Sequence, residues 1–486
     1  MPQHDADNTM LSPIHKRATI APNASAYRIG ELKVSYQTLS QQVVAIGEQL
    51  IQAGLQRGDR IACIGYNQPE LLTLYWACVD HGMLFCPISP RFAPKQLIEL
   101  IQTHQYTYCW LGDISNNSAN QALHEVLSND ITQPLELDFT QHSRASAPAN
   151  IDPNRGVNAI LTSGSTGLPK AAVHSFANHI ASANGSKSLI DITAEDSWLL
   201  SLPLFHIGGL AIANRCALSG ASVVFEDKSM SLATQLSRDK ISHLSLVSAQ
   251  LQKLLDSDNC DLSQVKAMLL GGGVISADLL QQLDTLNIAA YTSYGMTEMS
   301  SQITTGKAHA DGSSGIPLPK RELKIVDGEI WVKGECLFLG YLTQDSFQRP
   351  TDSEGWFYTK DLAHWDENAN LRIDGRADNM FISGGENIQP EEIEAALKLH
   401  PQIDDAIVFA IADDKFGKLP AATIKIANDS AGQPAEPELT AFLADKIARF
   451  KRPRQYYPWP DINSVGIKVV RKQVIAAVIS AVISAK

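Results

Sequence analysis

Between residues 36 and 55 apolar and polar positions alternate at helical spacing, with a stop at Gly54, and this predicts an amphipathic helix. Arg60-Ile-Ala-Cys-Ile-Gly is a short apolar run, which predicts a buried strand. The stretch 67–82 predicts an apolar helix capped by Asn67, Cys86-Pro-Ile-Ser-Pro a second strand, and 94–104 a further helix. Strands alternating with helices imply a doubly wound α/β sheet. Residues 113–150, rich in Ser, Asn, Gln and Ala, predict a loosely organised connection.

A second run of the same kind follows: a strand at 198–202, a helix through 208–219, and strands at 222–225, 243–247 and 266–270. After about residue 315 the pattern turns to short strands. Segments 322–326 and 329–333 flank Asp327-Gly328, which favours a tight primed turn, and 356–358 and 371–373 extend the β stretch. Beyond Gly375 a small α/β unit is expected, with a helix at 390–399 and strands at 403–411 and 421–426. The apolar stretch from Val474 predicts a packed terminal helix. The domain boundary is expected near Arg376–Asp378, giving domains 1–376 and 377–486; no repeats are visible.

Composition narrows the function classes. A chain of 486 residues is too long for one ordinary core. Its net charge of −12 argues against a nucleic-acid partner and for small-molecule partners. The seven cysteines are scattered without a Cys-x-x-Cys pair, so reduced thiols and a cytoplasmic setting are the simplest expectation. Residues 1–18 do not read as a signal peptide, and no apolar run reaches membrane-spanning length.

The strongest chemical signal is the run Ile160-Leu-Thr162-Ser163-Gly164-Ser165-Thr166-Gly167-Leu-Pro-Lys170. Glycines 164 and 167 let backbone N–H groups approach a polyphosphate, the hydroxyls add donors, and Lys170 adds a mobile charge. A polar turn between a strand and a helix is the competing reading. The common nucleotide loop is excluded, because only two residues separate the glycines and Pro169 precedes the lysine. Gly271-Gly272-Gly273, after a predicted strand, would let a flat base lie against backbone, or is a plain turn. Tyr294-Gly295-Met-Thr297-Glu298 sets an aromatic face, a hydroxyl and a carboxylate within five residues, which suits base stacking, phosphate binding and Mg²⁺ ligation. Asp361 follows a β segment and could accept two ribose hydroxyls, or is a surface turn acid. Gly384 and Gly385 would let a thin pantetheine arm pass, and Gly466-Ile-Lys468-Val-Val-Arg lies near the C-terminus.

Together these segments resemble the adenylate-forming superfamily of acyl-CoA and aryl-CoA synthetases, luciferases and peptide-synthetase adenylation domains, from about residue 30 onward. The resemblance implies an α/β fold: a large N-terminal domain of two doubly wound α/β sheets plus a small β subdomain, and a small mobile α+β C-terminal domain. It also implies two half-reactions. A carboxylate attacks the α-phosphate of ATP and expels diphosphate, and CoA thiol then displaces AMP. Carried over by position, Lys468 neutralises charge on the α-phosphate, Thr297 holds that phosphate, and Glu298 with Thr166 holds Mg²⁺. The run from Thr162 to Gly167, Lys170, the glycines 271–273 and Tyr294-Gly295 bind the nucleotide, with Tyr294 stacking on adenine. Asp361 and Arg376 bind ribose, Gly384 and Gly385 face CoA, and Asp378 is the hinge. ATP, Mg²⁺ and CoA are the implied co-substrates and cofactor. Ile467 separates Gly466 from Lys468, where the family pattern has Gly-Lys adjacent, so Lys451 and Lys472 compete for the lysine's role.

Within the superfamily, Pro169-Lys-Ala-Ala-Val-His174, Leu202-Pro-Leu-Phe-His-Ile-Gly-Gly209, Arg376-x-Asp-Asn, Ser383-Gly-Gly-Glu and Gly466-Ile-Lys resemble the 2-succinylbenzoate–CoA ligases of menaquinone biosynthesis. His206, expected at the end of a strand, occupies the place where the family sets an aromatic gate to the acyl pocket, acting chemically or by shape. Arg215 lies on an otherwise apolar helix, where a guanidinium is costly without an anion. An aromatic dicarboxylate would supply one, through a bidentate pair; a structural salt bridge or a helix-end arginine reaching water is the alternative. Ser301, Gln302, Gly208 and Gly209 are expected around the same pocket. Competing functions are another aryl- or medium-chain acyl-CoA synthetase, a peptide-synthetase adenylation domain (disfavoured, with no carrier segment after residue 486), and a nucleotide-binding regulator that has lost catalysis. A homodimer stays open as the assembly.

Overall fold

The computed structural model describes residues 9–92, 94–112, 132–143, 148, 150–162, 169–257, 260–273, 275–286, 288–344, 346–383, 386–413, 417–427, 432–444, 446–447, 449–461 and 471–484. The chain divides into two compact units. One comprises Met1–Leu323, Val332–Phe357 and Glu367–Leu371; the other comprises Lys324–Trp331, Tyr358–Asp366 and Arg372–Lys486.

The first unit holds two large sheets. In the nine-stranded sheet, Ala290–Met296, Ala267–Leu270, His243–Leu246, Ser197–Leu200, Ser222–Phe225 and Ser25–Ile29 lie side by side and parallel. Antiparallel strands flank this block, Ser301–Lys307 on one side and Leu32–Ser35 on the other. The eight-stranded sheet places Gly156–Thr162 beside Leu84–Ile88, which pairs in parallel with Arg60–Ile64 and through it with Tyr108–Leu111. Gln133–Pro134, inside the segment expected to be loose, adds a short parallel strand; 113–131, 144–147 and 149 lie outside the described residues. One core cluster gathers Val43 and Ile46 of the helix Tyr36–Gln52, Leu72 and Trp76 of Pro69–His81, Phe176, Trp198 and Leu210.

Local chemistry accounts for most element ends. Ser35 caps Tyr36–Gln52 by accepting from Thr38 N–H. Pro69 starts its helix at the position where a missing N–H costs nothing, and Gly82 ends it at φ 70°. Asn67 is not that cap. Gln68 stands at the N-cap, and the Asn67 side chain donates to Leu200 O (3.1 Å) and Leu202 O (2.9 Å) and accepts from Leu204 N–H (2.8 Å). A tertiary demand from the neighbouring sheet has taken the side chain that local pattern assigned to a helix start.

The second unit holds most of a four-stranded sheet; in its hairpin both Asp327 (φ 52°) and Gly328 (φ 80°) are left-handed, as a type I′ turn requires. A three-stranded sheet follows, in which Ile403–Asp413 pairs antiparallel with Gly417–Ile426 and the latter parallel with Tyr456–Pro458. The helix Pro390–Lys398 carries Glu391 and Glu392 in its first turn, where acids favour the helix dipole. The terminal helix runs Arg471–Ser484. Arg471 pairs with the buried Glu394 at 2.5 Å. Among the described residues no helix is long and apolar enough to cross a membrane.

Candidate functional site

Gly156–Thr162 and Lys170–Ser175 are antiparallel neighbours, with Lys170 opposite Thr162 and the Thr162 hydroxyl donating to Lys170 O at 3.3 Å. The hydroxyl-rich run therefore links two antiparallel strands, and a strand-to-helix turn does not describe its flanks. Ser163, Gly164, Ser165, Thr166 and Gly167 themselves lie outside the described residues. Lys170 is exposed, and its Nζ stands 4.8 Å from the centre of the Tyr341 ring. The Tyr341 hydroxyl donates to Glu298 Oε1 at 2.6 Å. Glu298 is only 7% exposed, so it depends on donors of this kind to stay buried.

Glu298 belongs to a tight turn. The strand Ala290–Met296 runs into a single 3-10 turn at Thr297–Met299, followed by Ser300 at φ 53° and Ser301 at φ 107°. Both φ values are unusual for residues with a side chain. A Cβ at Gly295 would meet Ser301 O at 2.0 Å, so only glycine fits there. The turn is pinned from several sides. The Ser182 hydroxyl donates to Ser300 O at 2.6 Å, the Ser300 hydroxyl to Cys336 O at 2.8 Å, and Phe338 N–H to Glu298 O at 2.8 Å.

A buried imidazole holds Thr297. His174 Nε2 lies 2.7 Å from Thr297 O, and His174 Nδ1 lies 3.1 Å from Asn158 Nδ2, directly across the hairpin. The carbonyl can only accept and the amide nitrogen can only donate, so the tautomer is assigned: the proton sits on Nε2. Asn158 Oδ1 accepts from His179 Nε2 at 2.6 Å. Burial pushes His174 down to about 4, with the Thr297 bond acting the other way, and holds His179 well below the ordinary range. Both rings are therefore neutral at pH 7. The local residue pattern gives His174, Asn158, His179 and Tyr341 no role in the site; the one signal of the first two is a polar residue on each of two otherwise apolar strands.

Gly271–Gly273 follows the strand Ala267–Leu270, which lies parallel to and beside Ala290–Met296, so the glycines and Tyr294 emerge at the same carboxyl edge. Ligands in open α/β sheets bind at that edge. Gly272 has φ +82°, and a Cβ at Gly273 would meet open space. Tyr294 is half-buried.

Arg215 sits in the middle of the helix Ile207–Ser219 and is 3% exposed, so it does not reach water from a helix end. Its Nη2 donates to Gln302 Oε1 at 2.7 Å, and its guanidinium carbon lies 5.3 Å from the centre of the Trp198 ring. Its Nε is buried without a hydrogen-bond partner, and among the described residues no carboxylate lies within ion-pair distance. Burial, helped by the nearby Arg321, pushes it down to about 10, still charged at neutral pH. His206 is not at a strand end: the strand closes at Leu200, and His206 is the exposed N-cap residue of the Arg215 helix, edge-on to Phe205 at 4.9 Å. A Cβ at Gly209 would meet Pro203 O at 2.1 Å, which ties this glycine to loop packing, and one at Gly208 would meet Leu202 Cδ1 at 2.9 Å.

In the second unit Asp361 lies within the strand Phe357–Trp365 and accepts from Arg376 at 2.9 Å; Arg376 also pairs with Asp378 at 3.1 Å. Burial works against the Arg376 charge, but Asp378 and Asp361 together raise it above its ordinary value. Lys451 pairs with Glu392 at 2.6 Å, and Lys472 is exposed on the terminal helix. Gly384, Gly385 and Lys468 lie outside the described residues. Among the described residues no cluster of three or more His, Cys, Asp or Glu could hold a metal ion. A single carboxylate such as Glu298 suits Mg²⁺, which is commonly held by one or two carboxylates together with substrate phosphates.

Comparison with known proteins agrees with this geometry. The AMP-binding enzyme family model matches residues 14–342, and the model of the AMP-binding enzyme C-terminal domain matches residues 392–465. The chain is 37% identical over 444 residues to a 2-succinylbenzoate–CoA ligase of Haemophilus influenzae, covering 90% of this chain and 91% of that one. It superimposes with a TM-score of 0.86 on o-succinylbenzoate CoA synthetase from Bacillus subtilis in complex with its acyl-adenylate intermediate, at 27% identity, covering 96% of this chain and 98% of the other. The same Bacillus subtilis enzyme in complex with ATP and magnesium gives a TM-score of 0.86 at 26% identity, covering 96% and 100%.

Proposed function

Because the chain belongs to the AMP-binding enzyme family, we propose that it is an ATP-dependent acid–CoA ligase that converts 2-succinylbenzoate, ATP and CoA into 2-succinylbenzoyl-CoA, AMP and diphosphate in menaquinone biosynthesis. The observation that carries the substrate assignment is Arg215: a buried guanidinium with an unpartnered Nε and no internal carboxylate among the described residues. A monocarboxylic fatty acid would leave it uncompensated. An aromatic acid with a second carboxylate would complete it. The similar ligases named above support the same substrate.

In this reading the acid's reacting carboxylate meets the α-phosphate of ATP at the carboxyl edge of the two sheets. A carboxylate is a poor electrophile, and the acyl-phosphate anhydride supplies the leaving group that CoA later displaces. Lys170 and the run 162–167 take the polyphosphate, the glycines 271–273 and Tyr294-Gly295 seat adenine, and Thr297 donates to the α-phosphate. Glu298 with Thr166 would hold Mg²⁺, which neutralises phosphate charge when bound. Asp361 and Arg376 take the ribose, and Lys468 stabilises the charge that builds on the α-phosphate and attacking oxygen. His206, with Gly208 and Ser301, walls the acyl pocket, and Gly384 and Gly385 pass the pantetheine arm. The small domain from residue 377 pivots at Asp378 between the half-reactions. Small molecules and not nucleic acid are the partners, the cytoplasm is the setting, and a homodimer is the assembly that sedimentation would test.

The deciding experiment is ATP–diphosphate exchange with a panel of acids, followed by CoA thioester formation. Exchange driven by 2-succinylbenzoate is the expected result. Exchange with a monocarboxylic aryl or medium-chain acid alone would redirect the substrate assignment, and none with any acid would favour a nucleotide-binding regulator.

A further inference from the structure

Two buried guanidinium ions meet at one glutamine. Gln302, on the strand Ser301–Lys307, is 2% exposed, and its Oε1 accepts from Arg215 Nη2 at 2.7 Å. Its own carbonyl accepts from Arg321 Nε at 2.6 Å. Arg321 spends its other donors on Pro319 O (2.8 Å) and Ser182 O (3.2 Å), all neutral acceptors. Among the described residues neither arginine has a carboxylate within ion-pair distance. Uncompensated buried charge of this kind is expensive, and natural cores pair it unless something else is meant to.

The orientation of the Gln302 amide is fixed. Its Nε2 donates to Thr305 Oγ1 at 2.7 Å, and that hydroxyl spends its own proton on Thr304 O at 2.7 Å. The Thr305 oxygen is therefore an acceptor toward Gln302, and the amide oxygen must face the guanidinium. Trp198 fixes the guanidinium from its ring side. The result is a guanidinium whose direction is set without its charge being cancelled.

We propose that Gln302 is the selectivity-determining partner of Arg215: its neutral amide aims the guanidinium and leaves the positive charge for the second carboxylate of the acid substrate. The inference rests on the dicarboxylate reading above. A glutamate of the same length at this position would accept the same bond, pair with Arg215 internally, and repel an incoming carboxylate. A methionine would keep the volume and the Arg215 charge but lose the aiming bond.

The test is steady-state kinetics of wild type, Gln302→Glu, Gln302→Met and Arg215→Ala, with folding checked by thermal melting. For Gln302→Glu, KM for 2-succinylbenzoate is expected to rise at least roughly 30-fold while KM for ATP stays within about twofold. For Gln302→Met the rise is expected to be about fivefold, the loss of one hydrogen bond. A folded Gln302→Glu enzyme with unchanged KM for the dicarboxylate overturns the inference; should that variant not fold, an unchanged Gln302→Met enzyme does so. If wild type ignores 2-succinylbenzoate, or Arg215→Ala leaves its KM unmoved, the dicarboxylate reading itself has failed, and the two failures are told apart.

Discussion

The Tyr341 hydroxyl donates to Glu298 Oε1 at 2.6 Å, and the same ring lies 4.8 Å from the Lys170 ammonium. One aromatic side chain thus touches both the acid assigned to Mg²⁺ and the lysine assigned to phosphate. Tyr341→Phe keeps the ring and removes only the donor. It should lower kcat/KM for ATP about tenfold, the cost of one hydrogen bond to a charged group, and raise the Mg²⁺ concentration needed for half-maximal rate. A Mg²⁺ titration identical to wild type would reduce the contact to a packing role.

Arg215→Ala should raise KM for 2-succinylbenzoate by at least roughly 30-fold while changing KM for ATP little, because the buried pair with the second carboxylate is lost. Unchanged kinetics would remove the physical basis of the substrate assignment.

Lys468→Gln should lower ATP–diphosphate exchange by about two to three orders of magnitude, the range for a lost transition-state charge contact. Thioester formation from supplied acyl-adenylate should persist. Of the two competing lysines, Lys451 already pairs with Glu392, and Lys451→Gln or Lys472→Gln is expected to leave exchange within about threefold. The reverse pattern would transfer the role.

His174 makes stability depend on pH. Its folded-state value is depressed to about 4 by burial, below the unfolded value of about 6.5. The unfolded chain therefore binds more protons between these values. The contribution is complete above about pH 6.5 and is lost as pH falls toward 4, amounting to roughly 3 kcal/mol. Denaturant midpoints from pH 7 to pH 4.5 should fall more steeply for wild type than for His174→Gln. Parallel slopes would mean that His174 titrates as it does in the unfolded chain.

Gly209→Ala should destabilise the protein by about 1–3 kcal/mol, since its Cβ would lie 2.1 Å from Pro203 O. Thermal melting checks it, and an unchanged midpoint would show that the loop before the Arg215 helix yields freely.

Much of the element order was legible because it follows from local periodicity and end signals. The strand at 222–225 and the hairpin across Asp327-Gly328 stand where the pattern placed them, and helix ends fall within a few residues of expectation. The motif segments were legible as well, since their chemistry is written in consecutive residues. Their assigned roles rest on family resemblance, and the experiments above test them. Two expectations that moved, Asn67 as a cap and His206 at a strand end, concern residues whose positions depend on segments elsewhere in the chain.

Pattern and short motifs by themselves determined the alternation of strands and helices, the order of the segments assigned to the nucleotide and the oddity of an arginine on an apolar helix. Only the tertiary structure decided what those residues face. It brought Tyr341 to Glu298, His174 to Thr297 and Gln302 to Arg215, and it left the Arg215 guanidinium without an internal carboxylate among the described residues. The physical reason is range. Backbone propensity and amphipathic spacing act over a few residues, whereas a buried polar group must find its partner wherever the packed chain places one, here 43, 123 and 87 residues away.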